Sequence, residues 1–590
     1  MKLWEKILSA VTAGVLCLGS VGVTGMQSVL ESMGTVLSAS ADSYSYGDLS
    51  YEVTDAGDIV ITGCSSDAEI VEIPSEIDGK SVTSIGDRAF SGCESLTEIT
   101  IPDSVTRIGG YAFYTCTSLT SVTIPDSVTS IGEGAFSSCH SLAEITIPDS
   151  VTSIGDYAFY GCESLTEITI PDSVTSIGDY AFYGCKNLTA ITIPNYVTSI
   201  GGCAFSGTPW LAEKQEENPL VIVNGILIDG TTCTGNVVIP GSVTSIGDGA
   251  FSNCTGLTEI TIPDSVTSIG GGAFSNCTGL AEITLPDSVM SIGDFAFAEC
   301  DSLTAITLSD GVTSIGEDAF SYCTSLKEIT IPDSVTSIGA YAFDRCTRLT
   351  AITIPDSVTS IGEGAFSYCT SLTEITIPDS VTSIGADVFF GCEGLTSITI
   401  PDSVTNIGDF AFAECDSLTA ITLPDGVMSI GTYAFSGCDS LTEITIPDSV
   451  TSIEKDAFLG SDNLTIYGYT DSCAETHAKR NDIPFVPLDS ITTTETTATT
   501  TTETTAATTT TVGTTVSINP DVFYGDVTLD GDVDLADAVL LNKAVAGSVT
   551  LNQQAALNAD CNSDGKRSAD DSMVLLKFLV HLVNGLPYTA

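Results

Sequence analysis

Residues 331–353 read Ile331-Pro-Asp-Ser-Val-Thr-Ser-Ile-Gly-Ala-Tyr-Ala-Phe-Asp-Arg-Cys-Thr-Arg-Leu-Thr-Ala-Ile-Thr353, and similar 23-residue stretches fill most of the chain. The unit first occurs, lengthened by an insertion, at 73–100. It recurs from 101 to 445, and a degenerate sixteenth copy starts at Ile446. Each unit holds about seven apolar positions, too few to enclose a core, so the units must stack on their neighbours.

The repeat itself indicates how one coil is built. In Leu96-Thr-Glu-Ile99-Thr-Ile101, apolar residues at spacings of three and two predict a strand with its threonines pointing outward. Gly109 and its counterparts allow a tight bend, and Ala-Phe-x-x-Cys suits a short helical turn with Phe inside. The unit resembles the BspA-type leucine-rich repeat family over residues 49–488. The resemblance implies a β-rich solenoid with a parallel sheet and about 16 coils of 23 residues.

The solenoid, predicted at 73–466, needs a cap at each end because open strand edges are exposed there. Residues 42–72 show alternating strand character and suit an N-terminal cap. Residues 467–488, with a helix at 473–480 and a strand at 483–487, suit a C-terminal cap. The period breaks at 208–238, where Thr208 and Pro209 predict a helix start. Asn224-Gly225 then predicts a hairpin over 220–229.

Two acidic loops near the C-terminus place oxygen-bearing side chains at loop positions 1, 3, 5, 9 and 12, with glycine at position 6. That spacing lets a twelve-residue loop surround a hard cation with oxygen ligands. Each loop leads into an apolar helix. We therefore predict two calcium ions, held by Asp526, Thr528, Asp530, Asp532, Asp534 and Asp537 in one loop and by Asp560, Asn562, Asp564, Lys566, Ser568 and Asp571 in the other.

A duplicated loop–helix unit with Asp at position 12, a matched lysine on each helix and no helix entering the first loop resembles a type I dockerin. The resemblance covers about 523–588, within a predicted domain of 520–590. It implies a small all-α, calcium-dependent module that docks onto a cohesin module of a cellulosomal scaffoldin. Carried over by position, it implies cohesin contacts at Leu535, Ala536, Asn542, Lys543, Ala569, Asp570, Leu576 and Lys577. Thr528, in place of the usual Asn or Asp, predicts weaker calcium binding in the first loop.

The ends of the chain indicate its compartment. Lys2 and Lys6 precede an apolar stretch at 7–23, and small residues follow up to Ala41, which is typical of a secretory signal peptide over 1–41. No later apolar run is long enough to span a membrane. We expect a secreted, extracellular protein, held at the cell surface through the scaffold. Residues 489–519 are mostly threonine and predict an unfolded linker.

The net charge of −59 argues against nucleic acid or anionic membranes as partners. Twenty cysteines in a secreted chain would normally suggest disulfides. Here fourteen of them recur at one repeat position, at Cys93, Cys116, Cys139, Cys162, Cys185, Cys254, Cys277, Cys300, Cys323, Cys346, Cys369, Cys392, Cys415 and Cys438. Thr208 and Ser461 replace them in two repeats. A position that accepts Cys, Thr or Ser is small and half-polar, which predicts buried free thiols.

The sequence predicts no catalytic residues. His140, His477 and His581 lie far apart, and no Ser–His–Asp arrangement, phosphate loop or zinc motif is visible. Paired carboxylates of an unrecognised glycoside hydrolase are the enzymatic alternative. The acidic residues instead recur in columns, beginning with Glu98, which is typical of a solvated face. We therefore expect a binding protein.

Two surfaces are candidates for that binding. A threonine column runs from Thr100 to Thr445, where strand preference alone accounts for most of the pattern. Aromatic residues flank Ala-Phe at Tyr111, Tyr157, Tyr180, Phe295, Tyr341, Phe410 and Tyr433, and again at Tyr114, Tyr160 and Tyr183. Exposed rings bind protein or stack on sugars, while packing at the core edge is an equal alternative. We predict protein binding or adhesion, with polysaccharide binding as the alternative.

Overall fold

The computed structural model describes residues 44–490, and within them each repeat forms one coil, in most cases with two short strands. Equivalent strands of neighbouring coils pair in parallel with a constant offset. Glu144 lies opposite Ser121 and Thr146 opposite Thr123, for example. The expected solenoid with a parallel sheet is confirmed, because a repeat with a buried residue at every second strand position can bury it only by stacking.

The first strand of each coil lies on what we call the strand face. Its central apolar residue points inward and its two neighbours outward, as in Glu98, Ile99 and Thr100. The strands of this row are Ile70–Glu72, Glu98–Thr100, Ser121–Thr123, Glu144–Thr146, Glu167–Thr169, Ala190–Thr192, Gly235–Val238, Leu257–Thr261, Glu282–Thr284, Ala305–Thr307, Glu328–Thr330, Ala351–Thr353, Glu374–Thr376, Ala420–Thr422, Glu443–Thr445, Thr465–Gly468 and Phe485–Pro487.

A second row of strands comes from the Ser-Ile part of each repeat, and its isoleucines are mostly buried. These strands are Lys80–Ile85, Arg107–Ile108, Ser153–Ile154, Ser176–Ile177, Ser199–Ile200, Ile226–Asp229, Ser245–Ile246, Ser268–Ile269, Ser291–Ile292, Ser314–Ile315, Ser337–Ile338, Ser360–Ile361, Asn406–Ile407, Ser429–Ile430 and Ser452–Ile453.

The segment Gly-x-x-Ala-Phe-x-x-Cys follows the second strand and forms what we call the turn face. It makes successive tight turns, with Ala89 N–H donating to Gly86 O at 3.3 Å and Cys93 N–H donating to Phe90 O at 3.1 Å. The expected short helical turn is therefore wrong: the segment consists of successive tight turns and is not helical. The residue before Ala-Phe and the residue before Cys both adopt positive φ, which interrupts any helix.

Stacked phenylalanines form the centre of the core. Phe343 and Phe366 are parallel at 5.4 Å between ring centroids, and both are fully buried. All fourteen cysteines of the repeat position are buried and free, which confirms that expectation. Stacking of identical side chains in identical rotamers produces this continuous column, since each coil repeats the backbone of its neighbour.

The divergent stretch 208–238 replaces one coil. Helix α1 (Pro209–Glu217) starts at the N-cap Thr208, and the strand Val221–Val223 pairs antiparallel with Ile226–Asp229 through Asn224 and Gly225, both at positive φ. The predicted helix start and hairpin are confirmed. Trp210 packs on Phe205 at 4.9 Å, and Gly230 lies against the ring of Phe251, where any Cβ would clash. The buried core consists of two clusters that meet here.

Caps cover both ends of the described solenoid. At the N-terminal end Tyr44–Tyr46, Leu49–Val53 and Ile59–Cys64 form an antiparallel meander, and Glu76–Ile77 pairs with Lys80–Ile85. At the other end helix α2 (Cys473–Arg480) has Ser472 as its N-cap and packs against the last strands, followed by a 3₁₀ turn at Leu488–Ser490. The predicted cap helix is confirmed, and the predicted strand at 483–487 is observed at Phe485–Pro487.

Candidate functional site

The predicted calcium and cohesin residues lie outside the described part of the chain. This holds for both loops, 526–537 and 560–571, and for all eight predicted cohesin contacts between 535 and 577. The predicted signal peptide, 1–41, also lies outside it, and so does the predicted linker, 489–519, beyond Ser490. Within 44–490, no cluster of three or more His, Cys, Asp or Glu side chains is arranged to hold a metal ion. No helix in the same range is long and apolar enough to cross a membrane.

The described histidines do not form a catalytic group with a nucleophile. His140 Nδ1 lies 3.0 Å from Gly161 O on the surface. His477 is buried in the C-terminal cap beside Phe458, and burial lowers the pKa of its imidazole. Ser461 lines the same hollow of about 260 Å³, but its hydroxyl donates to Phe435 O at 2.8 Å. An activated serine would donate to the histidine instead.

The cysteine column has a structural role that its composition alone did not reveal. Twelve of the fourteen thiols donate to the phenylalanine carbonyl of the preceding coil, as Cys323 Sγ does to Phe297 O at 3.1 Å. Burial raises the pKa of the Cys323 thiol to about 12, so it is a poor nucleophile at neutral pH. Ser461 makes the corresponding bond to Phe435, which explains why serine substitutes there.

Serine and threonine hydroxyls also join neighbouring coils. Ser334 Oγ donates to Val312 O at 2.6 Å, and Thr336 Oγ1 donates to Thr313 O at 3.2 Å. Both bonds recur from coil to coil. The sequence analysis did not predict these hydrogen bonds between coils, although the regular Asp-Ser-Val-Thr motif places a serine and a threonine at the same positions of each coil. Much of the repeat's hydroxyl content therefore stabilises the stack.

The turn face carries the variable residues in two columns with left-handed backbone, which we call the first and second left-handed columns. The first precedes Ala-Phe and the second precedes Cys, and their non-glycine residues have φ between 52° and 62°. Four coils have glycine in the first column. The others have Arg88, Tyr111, Tyr157, Tyr180, Cys203, Phe295, Asp318, Tyr341, Asp387, Phe410, Tyr433 and Asp456. A left-handed backbone costs a residue with a Cβ about 1–2 kcal/mol.

Six tyrosines cluster near the start of this face. We call them the tyrosine patch: Tyr111, Tyr114, Tyr157, Tyr160, Tyr180 and Tyr183. Tyr157 stacks on Tyr180 at 5.1 Å, and Tyr160 stacks on Tyr183 at 5.2 Å. Tyr114 is 39% exposed and the other five are half-buried. Each ring is therefore partly packed at the edge of the core and partly exposed. The two alternatives that the sequence allowed, core packing and surface binding, both apply.

Tyr111 shows how a ring is accommodated in this column. Its ring lies over Gly134 of the next coil, at a position where a Cβ would overlap the ring. Its hydroxyl donates to Glu133 Oε1 at 2.6 Å. Tyr341 repeats the arrangement over Gly364 and donates to Glu363 Oε1 at 2.9 Å. Burial, reinforced by the bonded carboxylate, raises the pKa of both phenols.

A third group on the turn face is Tyr322, Arg345 and Tyr368, which we call the arginine sandwich. All three occupy the second left-handed column. The Arg345 guanidinium lies 5.4 Å from the Tyr322 centroid and 4.1 Å from the Tyr368 centroid. Its Nε also lies 3.6 Å from Asp344 Oδ2. Arg88 lies over Tyr111 in the same way, at 5.5 Å.

Carboxylates run beside the first left-handed column. Asp156 Oδ1 accepts the N–H of Asp179 at 2.8 Å, and Asp179 Oδ1 accepts the N–H of Gly202 at 2.6 Å. Burial raises the pKa of Asp179 to about 6, and the bond from Gly202 opposes that shift. The turn face is therefore aromatic and acidic at once.

Two family models match the chain. The model of the BspA type leucine rich repeat region matches in six copies at 83–212, 229–350 and 336–465. The Dockerin type I domain model matches 524–580, inside the region predicted to bind calcium and cohesin. Neither family is catalytic. No curated protein matches the chain.

Solved structures that match are also leucine-rich repeat proteins. One from Bacteroides ovatus is 30% identical, covering 75% of this chain and 99% of that one, with a TM-score of 0.41. A leucine rich cell surface protein from Faecalibacterium prausnitzii is 29% identical, covering 74% and 97%, with a TM-score of 0.30. The chain belongs to the BspA-type leucine-rich repeat family and carries a type I dockerin, the calcium-binding domain that attaches proteins to the cohesins of extracellular cellulosomes.

Proposed function

We propose that this protein is a secreted, non-catalytic cellulosomal component that binds a scaffoldin cohesin and presents its solenoid to a protein ligand. The observation that carries the proposal is the pairing of an attachment domain at 524–580 with a solenoid whose variable residues are displayed on one face. Glycine suits a left-handed backbone best. Tyrosine, phenylalanine and arginine at such positions indicate that the exposed side chain matters more than the local backbone energy.

The attachment rests on two calcium ions held by the twelve residues predicted above. Without a cation, seven clustered carboxylates of the loops would repel one another, namely Asp526, Asp530, Asp534, Asp537, Asp560, Asp564 and Asp571, and the amide oxygen of Asn562 would lose its metal partner. Excess chelator should abolish cohesin binding and lower the helical circular dichroism of the full chain, while the strand signal of the solenoid persists. Unchanged helix content and cohesin binding in chelator would contradict the proposal.

The two dockerin halves should bind cohesin unequally. The first offers Leu535 and Ala536 at loop positions 10 and 11, whereas the second offers Ala569 and Asp570. An apolar pair and an acid-containing pair make different contacts, so one face should dominate. Matched substitutions of Lys543→Ala and Lys577→Ala in the full chain, each titrated with cohesin, test this. Equal losses of affinity from the two single variants would contradict it.

Ring geometry favours protein over polysaccharide as the ligand of the solenoid. A polysaccharide platform needs several ring faces lying side by side. In the tyrosine patch, Tyr157 and Tyr160 stack on Tyr180 and Tyr183, so the rings of each pair cover one another's inner faces. Trp210 is 8% exposed and packs into the core. Edges and hydroxyls of tyrosine are instead typical of protein interfaces.

Retention on insoluble polysaccharide tests this choice directly. The full chain in calcium buffer, with cohesin added to occupy the dockerin, should pass through cellulose and xylan unretained. Retention that is lost on substituting turn-face tyrosines would replace the protein-binding proposal with the carbohydrate-binding one. Release of soluble sugars from either polymer would contradict the non-catalytic assignment.

A further inference from the structure

Two members of the cysteine column differ from the other twelve. Those twelve thiols donate to a phenylalanine carbonyl of the preceding coil. Cys93 and Cys254 do not, because each belongs to the first coil of a regular run, after the N-terminal cap or after the divergent stretch. Each of them also lies beside a cysteine from outside the repeat position, namely Cys64 for Cys93 and Cys233 for Cys254.

The thiols of Cys64 and Cys93 meet at the N-terminal end. The residue 26 positions before Cys93 is Asp67, so the usual phenylalanine is missing there. Cys93 Sγ lies 4.0 Å from Ser65 O instead, the carbonyl of the residue that follows Cys64. The Cys64 thiol donates a hydrogen bond to the Cys93 sulfur, so the two sulfur atoms are in contact. Cys93 is 2% exposed, whereas Cys64 is half-buried and reaches the surface.

Backbone hydrogen bonds hold both residues in these positions. Cys64 ends the strand Ile59–Cys64, which pairs antiparallel with Leu49–Val53 and parallel with Lys80–Ile85. Cys93 ends the tight turns of the first coil, where its N–H donates to Phe90 O at 3.1 Å. The contact between the two thiols therefore lies across the joint between the cap and the first coil.

Contact alone does not make a pair of thiols reactive, as Cys116 and Cys139 show. Their side chains are also hydrogen-bonded to each other. Both are fully buried, however, and each donates to a phenylalanine carbonyl, at 3.1 and 3.0 Å. Thiols that no oxidant can reach stay reduced. The half-buried Cys64 is what distinguishes the pair at the cap.

The corresponding pair after the divergent stretch provides a second comparison. Cys233 Sγ donates to Pro219 O at 3.7 Å, and Cys254 Sγ donates to Gly230 O at 3.1 Å. Both residues are buried. These two thiols are directed at different carbonyls, and neither is accessible to an oxidant.

We propose that Cys64 and Cys93, free thiols in the reduced chain, form a disulfide that fastens the N-terminal cap to the first coil in an oxidising environment. Disulfides form and persist in such compartments. The bond would close the loop between the cap and the coil and restrict the unfolded chain. Neither the dockerin nor the ligand of the solenoid takes part, so the bond forms whatever the solenoid binds.

A small-molecule disulfide, such as oxidised glutathione, supplies the oxidant. The Cys64 thiolate attacks one of its sulfurs, which forms a mixed disulfide and releases one glutathione thiolate. The Cys93 thiolate then attacks the Cys64 sulfur and releases the second. Two protein thiols become one disulfide, one oxidised glutathione becomes two reduced molecules, and the two protons pass to the released thiolates. Its hydrogen bond to Cys93, together with burial, raises the pKa of the Cys64 thiol, so the first attack is faster at mildly alkaline pH.

Tryptic peptides separate this pair from the other cysteines of the repeat. Peptide 89–107 contains Cys93 as its only cysteine, and Cys64 lies in the peptide that ends at Lys80. The full chain in calcium buffer is reduced, desalted and incubated with oxidised glutathione at mildly alkaline pH, then denatured in iodoacetamide and digested. We expect mass spectrometry to find peptide 89–107 joined to the peptide that ends at Lys80, and to find both alkylated when the chain is reduced first.

Cys64→Ser and Cys233→Ser form a matched pair of variants. In Cys64→Ser, peptide 89–107 should be fully alkylated after oxidation, whereas Cys233→Ser should keep the linked peptides. Oxidation should raise the melting temperature of the wild type and of Cys233→Ser by a few degrees and leave that of Cys64→Ser unchanged.

Three results would overturn the assignment. The first is complete alkylation of peptide 89–107 in the oxidised wild type. The second is glutathione retained on Cys64, since Cys93 would then fail to displace it. The third is a link from Cys93 to a cysteine other than Cys64. The wild-type peptide map needs no variant to fold, so it decides the matter even if Cys64→Ser melts early.

Discussion

The phenylalanine column and the first left-handed column lie two residues apart in the same turn, yet they differ in burial and in the variety of their residues. Phe occupies its position in nearly every coil, is fully buried and stacks on its neighbours. The left-handed column varies between Gly, Tyr, Phe, Asp, Arg and Cys, and most of its residues are half-buried. Where the side chain packs into a repeated core, one residue type serves; where it is displayed, side chains vary even at a cost in backbone energy.

The largest expected effect comes from breaking the buried column. Phe320 is fully buried and stacks on Phe297 and Phe343 at 5.4 Å each. Phe320→Ala should lower the free energy of unfolding by about 3–5 kcal/mol, because the cavity is flanked by rigid coils that cannot collapse into it. Urea unfolding followed by circular dichroism measures the loss.

The matched control removes a phenylalanine from the variable column. Phe295 is 37% exposed at φ 58°. Phe295→Ala should change the free energy of unfolding by about 0.5 kcal/mol or less. If the two variants lost equal stability, the distinction between packed and displayed columns would be wrong.

The cysteine column tests whether the thiol serves as a hydrogen-bond donor. Cys323→Ser keeps a donor for Phe297 O, as Ser461 does for Phe435 O. Cys323→Val keeps the bulk but leaves one lone pair of that carbonyl unsatisfied, so it should be about 1 kcal/mol less stable than the serine variant. Equal unfolding midpoints for the two variants would mean that packing alone selects cysteine.

Backbone strain in the variable columns predicts a gain in stability. Glu299 has φ 59° in the second column, where Gly161 stands with φ 66° in another coil. Glu299→Gly should stabilise the solenoid by about 0.5–1 kcal/mol, and Gly161→Ala should destabilise it by a similar amount. Glu299→Ala keeps the strain and serves as the control. A loss of stability on Glu299→Gly would show that the left-handed columns carry no strain.

The smallest expected effect depends on pH. Burial raises the pKa of Asp318, in the first left-handed column, to about 7, with Glu317 and Asp344 among the further causes. The folded state then holds this proton more tightly than the unfolded state. Stability from Asp318 is therefore complete below the pKa of the unfolded chain and is lost as pH rises through about 7. Asp318→Asn should raise the melting temperature at pH 8 and leave it nearly unchanged at pH 4; an equal shift at both values would contradict this.

Periodicity made the solenoid predictable, because a residue buried in one coil must be buried in all of them. Local turn chemistry likewise predicted the start of helix α1 at Thr208, the Asn224-Gly225 hairpin and helix α2. The helical turn around Ala-Phe was wrong, since sequence patterns do not reveal two left-handed residues per coil. The ligand sets in the C-terminal loops and the boundaries of the domains remain predictions.

The sequence by itself determined the family, the coil length, the buried columns and the attachment domain, because each depends on spacing along the chain. Tertiary structure decided what lies between coils. Residues 23 to 26 positions apart become neighbours, so Cys323 donates to Phe297 O, Tyr157 stacks on Tyr180, and Arg345 lies between Tyr322 and Tyr368. Ring direction, hydrogen-bond partner and backbone handedness are properties of that stacking, and spacing along the chain does not specify them.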